Sequence, residues 1–529
     1  MGLDPSEAHG HSPGGGGRRR RQRPRAIAAA LAASAALATV AALATGVGAL
    51  VGADGGAHGG SAGASHPGGS TLRATWVDRD GDGALERGPG EALISRTDLG
   101  PAVRPARVLA TLGQLTDTHV RDEESPARVT FLDRLGGPFT PTFRPQESLT
   151  TQALASAVRA IGAERPDLLL LTGDITDNAH QTEYDQALAT LTPGARVDPD
   201  TGAKGYDGPQ RAENPDPAYY RPDVDPPVEP GLLTRAQAPF TAPRQPAPWV
   251  PIPGNHDLLA AGEVTPTAAT DRVAVGDRTL VRPRAGLDVP EDPAGASAAV
   301  EALIAGGQLP GRTESIAPDP RRRFVTPAEG RARLRAASAV ARSPRATAGP
   351  GLSTVRDLGA DVRLITLDLD QAGEGAGGVA TDEHVAFLDR ALRAAGSRWL
   401  LVASHQPLRK ASGGERLLTL LDRAPRLLAA VSGDTHHHRI TTRSGYALIE
   451  TAALADFPQQ GRVLRVRAAP GGGAVLETWV VDTAGDGPVG ALADTARELA
   501  FLDAQGGRPG GNRGRRADRN VRFFAPAPR

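Results

Sequence analysis

The 529-residue chain contains no cysteine. Disulfides, thiolate zinc sites and cysteine nucleophiles are therefore excluded, and any metal must be held by nitrogen and oxygen. The absence also fits an exported protein, where stray thiols are a liability. Lysine is nearly missing: all but two of the 60 basic residues are arginine, the exceptions being Lys204 and Lys410. With 64 Gly, 45 Pro and abundant Ala, this reads as the coding bias of a GC-rich genome, so arginine richness carries no functional weight by itself. Charge of one sign is not in excess either. The 60 acidic residues balance the basic ones, which leaves no global field for nucleic acid, and no nucleic-acid-binding signature is present. There is no internal repeat, so a solenoid or propeller is not expected.

What is present begins with a leader. Residues 1–25 are polar and end in a basic run from Arg18 to Arg25, Ala26 to Val51 is apolar and Ala-rich, and small residues follow. This is the layout of an export signal over 1–53, with Val51-Gly52-Ala53 suited to signal peptidase; the adjacent arginines permit the twin-arginine route. An uncleaved N-terminal membrane anchor is the alternative, and membrane contact is expected only through this segment. Residues 54–106 read as a Gly-rich linker followed by strands and turns. Within them Asp78, Asp80 and Asp82 open like a calcium loop, but position twelve is Pro89 rather than a bidentate Glu, so a turn between short strands is the better reading.

A domain of α/β character is expected over 107–504. Apolar strands are predicted at 107–114, 167–172, 249–253, 361–368, 399–403 and 427–431. Helices are predicted at 146–161, 184–191, 381–396 and 414–423. Strands at 446–452, 462–468 and 474–481 read as a closing antiparallel set, and an amphipathic helix near 489–503 ends the domain. Two long insertions interrupt it. Residues 192–247 read as a surface loop, while 258–350, with short helices at 296–306 and 327–341, could cap a site. Residues 505–529 read as a flexible basic tail.

Five of the strands end in residues that can carry chemistry: Asp117-x-His119, Gly173-Asp174, Gly254-Asn255-His256-Asp257, His405 and Gly433-Asp434-x-His436. Each piece alone is weak. A lone Asp-x-His is usually a surface pair, and Gly-Asp is commonly a turn. Five in order, each after an apolar strand, form a strong signal. Strand ends of layered α/β folds are where chemistry is usually placed.

This order and spacing resembles the calcineurin-like metallophosphoesterases over about residues 107–440. The stretch Gln114–Leu135 also looks like a group of exported actinobacterial members. The resemblance implies a four-layer α/β/β/α sandwich with two mixed sheets. It implies two divalent ions (Mn, Fe, Zn or Co) about 3.5–4 Å apart that clamp a phosphoester and turn a water into the nucleophile. Asp174 would bridge the ions. Asp117, His119 and His436 would complete the first position, and Asn255, His405 and Asp434 the second. His256 would bind no metal but would donate a proton to, or hold, the leaving group or phosphate oxygen, with Asp257 orienting its ring. The implied function is hydrolysis of a phosphoester substrate, as a phosphatase or phosphodiesterase. The alternative is a non-catalytic cell-envelope binding protein on a degenerate scaffold. One position departs from the pattern: the family usually has His where this chain has Asp434, and a register shift to His436-x-His438 would be another way to supply a ligand pair. Of the other histidines, His437 and His438 read as solvent-facing or supporting, and His180 as helix-start surface that could reach the rim.

Overall fold

The computed structural model describes residues 69–528, apart from 129–141, 264, 340–346, 372–375, 504–510 and most of 288–308. The expected leader and most of the short helix at 296–306 lie outside the described residues. Among the described residues no helix is long and apolar enough to cross a membrane.

Two seven-stranded mixed sheets form the frame. In the first, β1 (Val108–Leu115), β2 (Leu168–Thr172) and β3 (Trp249–Ile252) run parallel. The long antiparallel pair Gln460–Ala468 and Ala474–Asp482 extends this sheet from β1. In the second, β4 (Trp399–Ser404) and β5 (Leu427–Ser432) are parallel, with Val362–Leu367 on one side and Tyr446–Glu450 on the other.

The leucines of β2 show why it is a central strand. Leu168 and Leu170 pack among Leu364, Leu401, Val431 and Ile449 of the second sheet. Leu169 and Leu171 point the other way, against Leu154, Val158 and Ile161 of helix Thr150–Gly162. All four are at most 1 % exposed. A strand buried on both faces reads as an unbroken apolar run, and each such leucine contributes roughly 1.5–3 kcal/mol of burial. The far face of the second sheet is covered by Asp382–Arg393 and Gly414–Leu421, whose Phe387, Leu388, Leu417 and Leu418 pack on Ile365, Leu400 and Val402.

Two expectations about the C-terminal third are corrected. Tyr446–Glu450 does not join an antiparallel set with 462–468; it lies in the other sheet, parallel to β5, with Arg439–Arg443 as its antiparallel neighbour. Residues 505–529 are not simply a flexible basic tail. Val521–Ala525 is a strand inserted between Ile94–Arg96 and Ala474–Asp482. Val521 and Phe523 enter the core between the sheets, while Arg522 turns outward to Glu477.

The insertions are also more built than a loop reading implies. Leu232 and Ala236 of the first pack against Leu492, Ala496 and Leu499 of helix Gly487–Leu502. In the second, helix Pro327–Ala337 lays Leu334 into the apolar cluster behind the first sheet. Asp78, Asp80 and Asp82 occupy the turn between two short antiparallel strands, Ala74–Val77 and Glu86–Pro89, where they accept bonds from backbone amides.

Candidate metal centre

The five motif segments meet where the C-terminal ends of β1, β2 and β3 face those of β4 and β5. Strand alternation does not aim them. Asp117, His119, Asp174, Asp434 and His436 all have left-handed backbone, with φ between 42° and 67°, and they are five of the ten such non-glycine residues described. Residues held in that region cost about 1–3 kcal/mol each and collect at functional sites. Hydrogen bonds hold them there. Asp117 donates its amide to Gly173 (3.0 Å) and His119 donates to Asp174 (2.9 Å), so the first ligand loop is zipped onto the second. The Asp434 amide donates to the Asp117 carboxylate at 3.0 Å, which ties in β5. The motif glycines make room: a Cβ on Gly173 would sit 2.2 Å from Nδ1 of His405, and one on Gly254 would sit 2.2 Å from Oδ1 of Asp174.

Three histidine rings are locked in the same sense. Nδ1 of His119 bonds Asp177 (2.8 Å), Nδ1 of His436 bonds Asp456, and Nδ1 of His405 bonds the Thr172 carbonyl (2.7 Å). Each Nδ1–H is thereby committed as a donor, which leaves each Nε2 as the nitrogen that can take up a metal or a proton. Two of these nitrogens, Nε2 of His119 and Nε2 of His436, face each other at 3.2 Å. Asp117 Oδ1 lies 3.4 Å from Nε2 of His436, and Asp174 Oδ2 lies 3.6 Å from that of His119. Four ligand atoms from Asp117, His119, Asp174 and His436 all lie within 4.8 Å of one another. Lone pairs and carboxylates converging in a buried space repel unless a cation lies among them, so the residues fit a divalent metal.

Asp174 Oδ2 also lies 3.3 Å from Nε2 of His405, which is 3.2 Å from Oδ1 of Asn255 and 4.0 Å from Oδ1 of Asp434. The Asp174 carboxylate thus lies beside both groups of side chains.

The electrostatics express the same demand for positive charge. Burial alone would raise Asp174, yet His405 and His256 hold it well below the usual carboxylate range. Burial would lower His436, but Asp456 and Asp117 push it up to about 10. Burial would likewise lower His405, but Asp174 overrides it and holds the imidazole well above its usual range. His119 goes the other way, to about 4, through burial and the neighbouring His256. Asp434 is raised by burial, against the pull of His405 and Lys410.

Several sequence expectations change here. Asp257 does not orient the His256 ring. Its carboxylate accepts from the amides of Gly254, Ile175 and Thr176, bracing the two loops, while Nδ1 of His256 lies 2.7 Å from the Asp177 carbonyl. His438 is buried away from the site, bonded to Gln460, Ala452 and Arg462, which removes the His436-x-His438 alternative. His180 is fully buried at the start of helix Gln181–Thr190, bonded to Ser125, and does not reach the rim. Asp177 and Asp456, which hold two of the ligand rings, went unnoticed in the sequence. Asp177 had a signal, being a carboxylate three residues past Asp174; Asp456 had none.

Asp117, His119, Asp174 and His436 gather at the strand ends in the order in which the motifs occur along the chain. The chain resembles the calcineurin-like metallophosphoesterases. No family model matches the sequence, and no curated protein matches it. Among solved structures, a dimetal phosphatase from Danio rerio is similar at 12 % identity and a TM-score of 0.36, covering 72 % of this chain and 98 % of that one. GAP50, the anchor in the inner membrane complex of Plasmodium, is similar at 10 % identity and a TM-score of 0.26, covering 71 % and 85 %. The metallophosphoesterase-like reading of this chain rests on the site itself.

Proposed function

We propose that this protein is a metal-dependent phosphoester hydrolase with a dinuclear centre. The observation that carries the reading is the convergence of three imidazole lone pairs and the Asp117, Asp174, Asn255 and Asp434 oxygens on one pocket at the strand ends. Asp117, His119, Asp174 and His436 would hold one divalent ion, and Asp174, Asn255, His405 and Asp434 would hold the other. Such ions supply Lewis-acid polarisation of the phosphoester and lower the pKa of a water. His256 stands beside them, its ring edge-on to His119 with centroids 4.5 Å apart. With Nδ1 anchored on the Asp177 carbonyl, Nε2 is the nitrogen that meets substrate, and an imidazolium there gives its proton to the leaving oxygen. Asp257 acts on the backbone, holding the Asp174 and Asn255 loops in register.

The leader carries the accompanying proposal that the enzyme works outside the cytoplasmic membrane. The test is hydrolysis of p-nitrophenyl phosphate and bis-p-nitrophenyl phosphate with Mn(II), abolished by a chelator and reduced about 10²–10⁴-fold in His256→Ala. Protein that binds metal and melts cooperatively yet turns over no phosphoester would favour the binding-protein reading instead.

A further inference from the structure

The rings of His119 and His436 are each backed by more than a carboxylate. Asp177, which holds His119, is gripped by Arg121 through Nε (2.7 Å) and Nη2 (2.6 Å). Asp456, which holds His436, is gripped by Nε and Nη2 of Arg144. Both arms end on one residue. Glu147 Oε2 accepts from Nη1 of Arg121 at 3.0 Å and from the backbone amide of Arg144 at 3.2 Å. Arg128 closes the far side of Glu147 with bonds of 2.8 and 2.6 Å. Every arginine and carboxylate residue of this backing is at most 7 % exposed, and Glu147 is at 0 %. Buried charge networks of this kind are costly and are weak evidence for stability. Satisfying the ring N–H groups does not require one, since His405 is served by a plain backbone carbonyl. The charged backing makes the two imidazoles better donors and fixes their planes, and partners beyond the ligands typically change metal affinity 10–100-fold.

We propose that Glu147 is a positioning residue that clamps both histidine ligands of the first metal position and makes it the tighter of the two. This rests on the dinuclear reading above. The test is calorimetric titration of the metal-stripped protein with Mn(II), alongside thermal melts. Wild type is expected to bind in a tight and a weaker step. Glu147→Gln weakens the tight step about 10–100-fold and leaves the weaker one within about twofold. Arg128→Gln is the control: it removes a hub partner and lowers the melting temperature, but leaves both arms and the tight step intact. An unchanged tight step in Glu147→Gln, or equal weakening in both variants, overturns the clamp alone. Should Glu147→Gln lose its cooperative melt, Arg121→Met and Arg144→Met each cut one arm; each is expected to weaken the tight step, and no change in either overturns the clamp. Wild type that takes up no Mn(II) overturns the dinuclear reading, and the clamp with it.

Discussion

On the proposed dinuclear reading, Asp434 decides how the second metal position behaves. A carboxylate there adds negative charge where the resembling family has a neutral imidazole, and Lys410 partly offsets it, with Nζ 3.7 Å from Oδ2. Removing each charge should therefore act in opposite directions. Asp434→Ala is expected to lose the weaker metal equivalent and keep the tighter one, while Lys410→Met strengthens the weaker step several-fold. Metal content after gel filtration checks the first, and retention of two ions would refute the assignment; Mn(II) titration checks the second. Gly254→Ala tests the close approach around Asp174. Its Cβ would lie 2.2 Å from Oδ1 and 2.5 Å from the amide of Asp174. The Asp174 carboxylate must shift, and on the proposed function a misplacement of that size costs about 10²-fold in turnover. Residue identities at the site were legible in the sequence because metal chemistry restricts them to a few types. The means of aiming them was not. Left-handed backbone at Asp117, His119 and Asp174 leaves no compositional trace, because the hydrogen bonds that stabilise it come from other segments.

At the scale of the element, strands buried on both faces were easy to read, since an apolar run such as Leu168–Leu171 has few other interpretations. The strand Val521–Ala525 was hidden by its Gly- and Arg-rich surroundings and by its distance from its partners. It pairs with Thr478 through Ala474 on one side and with residues 94–96 on the other, contacts of long sequence separation. A chain ending at Gly510 should therefore expose two sheet edges and the pocket for Phe523, and is expected to lose its cooperative thermal transition, measured by circular dichroism. A fully folded truncation would mean that the strand is dispensable. Helix Gln181–Thr190 carries a second element-level prediction. Its preceding residue, His180, is buried, and burial lowers its pKa from 6.5 to about 4. The unfolded state therefore binds more protons between those values, so stability falls as pH drops from 6.5 through about 4. A shift of this size corresponds to about 3 kcal/mol. His180→Gln should flatten the dependence of melting temperature on pH in that window, and an unchanged slope would show that other groups drive it.

On the scale of the whole molecule, the sequence revealed the order of the motifs but not which sheet each belonged to. Asp117, His119, Asp174 and Asn255 follow strands of the first sheet, whereas His405, Asp434 and His436 follow strands of the second. Pairing of distant strands is set by packing across the core, and local periodicity cannot reveal it. The placement has a thermodynamic consequence. On the proposed reading each metal position would draw ligands from both sheets, so an ion bound there would fasten the sheets together and relieve repulsion between carboxylates at the seam. An ion held at a hundred times its Kd stabilises by about 2.7 kcal/mol, a rise of a few degrees in melting temperature for a chain of this size. EDTA should remove that increment and Mn(II) restore it. The sign of the pH effect follows from His436. Its pKa of about 10 in the absence of a cation means that binding must displace a proton throughout the neutral range, so the Mn(II)-dependent rise should grow as pH increases from 6 to 9. Melts across that range with and without EDTA measure it directly. A melting temperature indifferent to chelator would show that no ion bridges the two sheets.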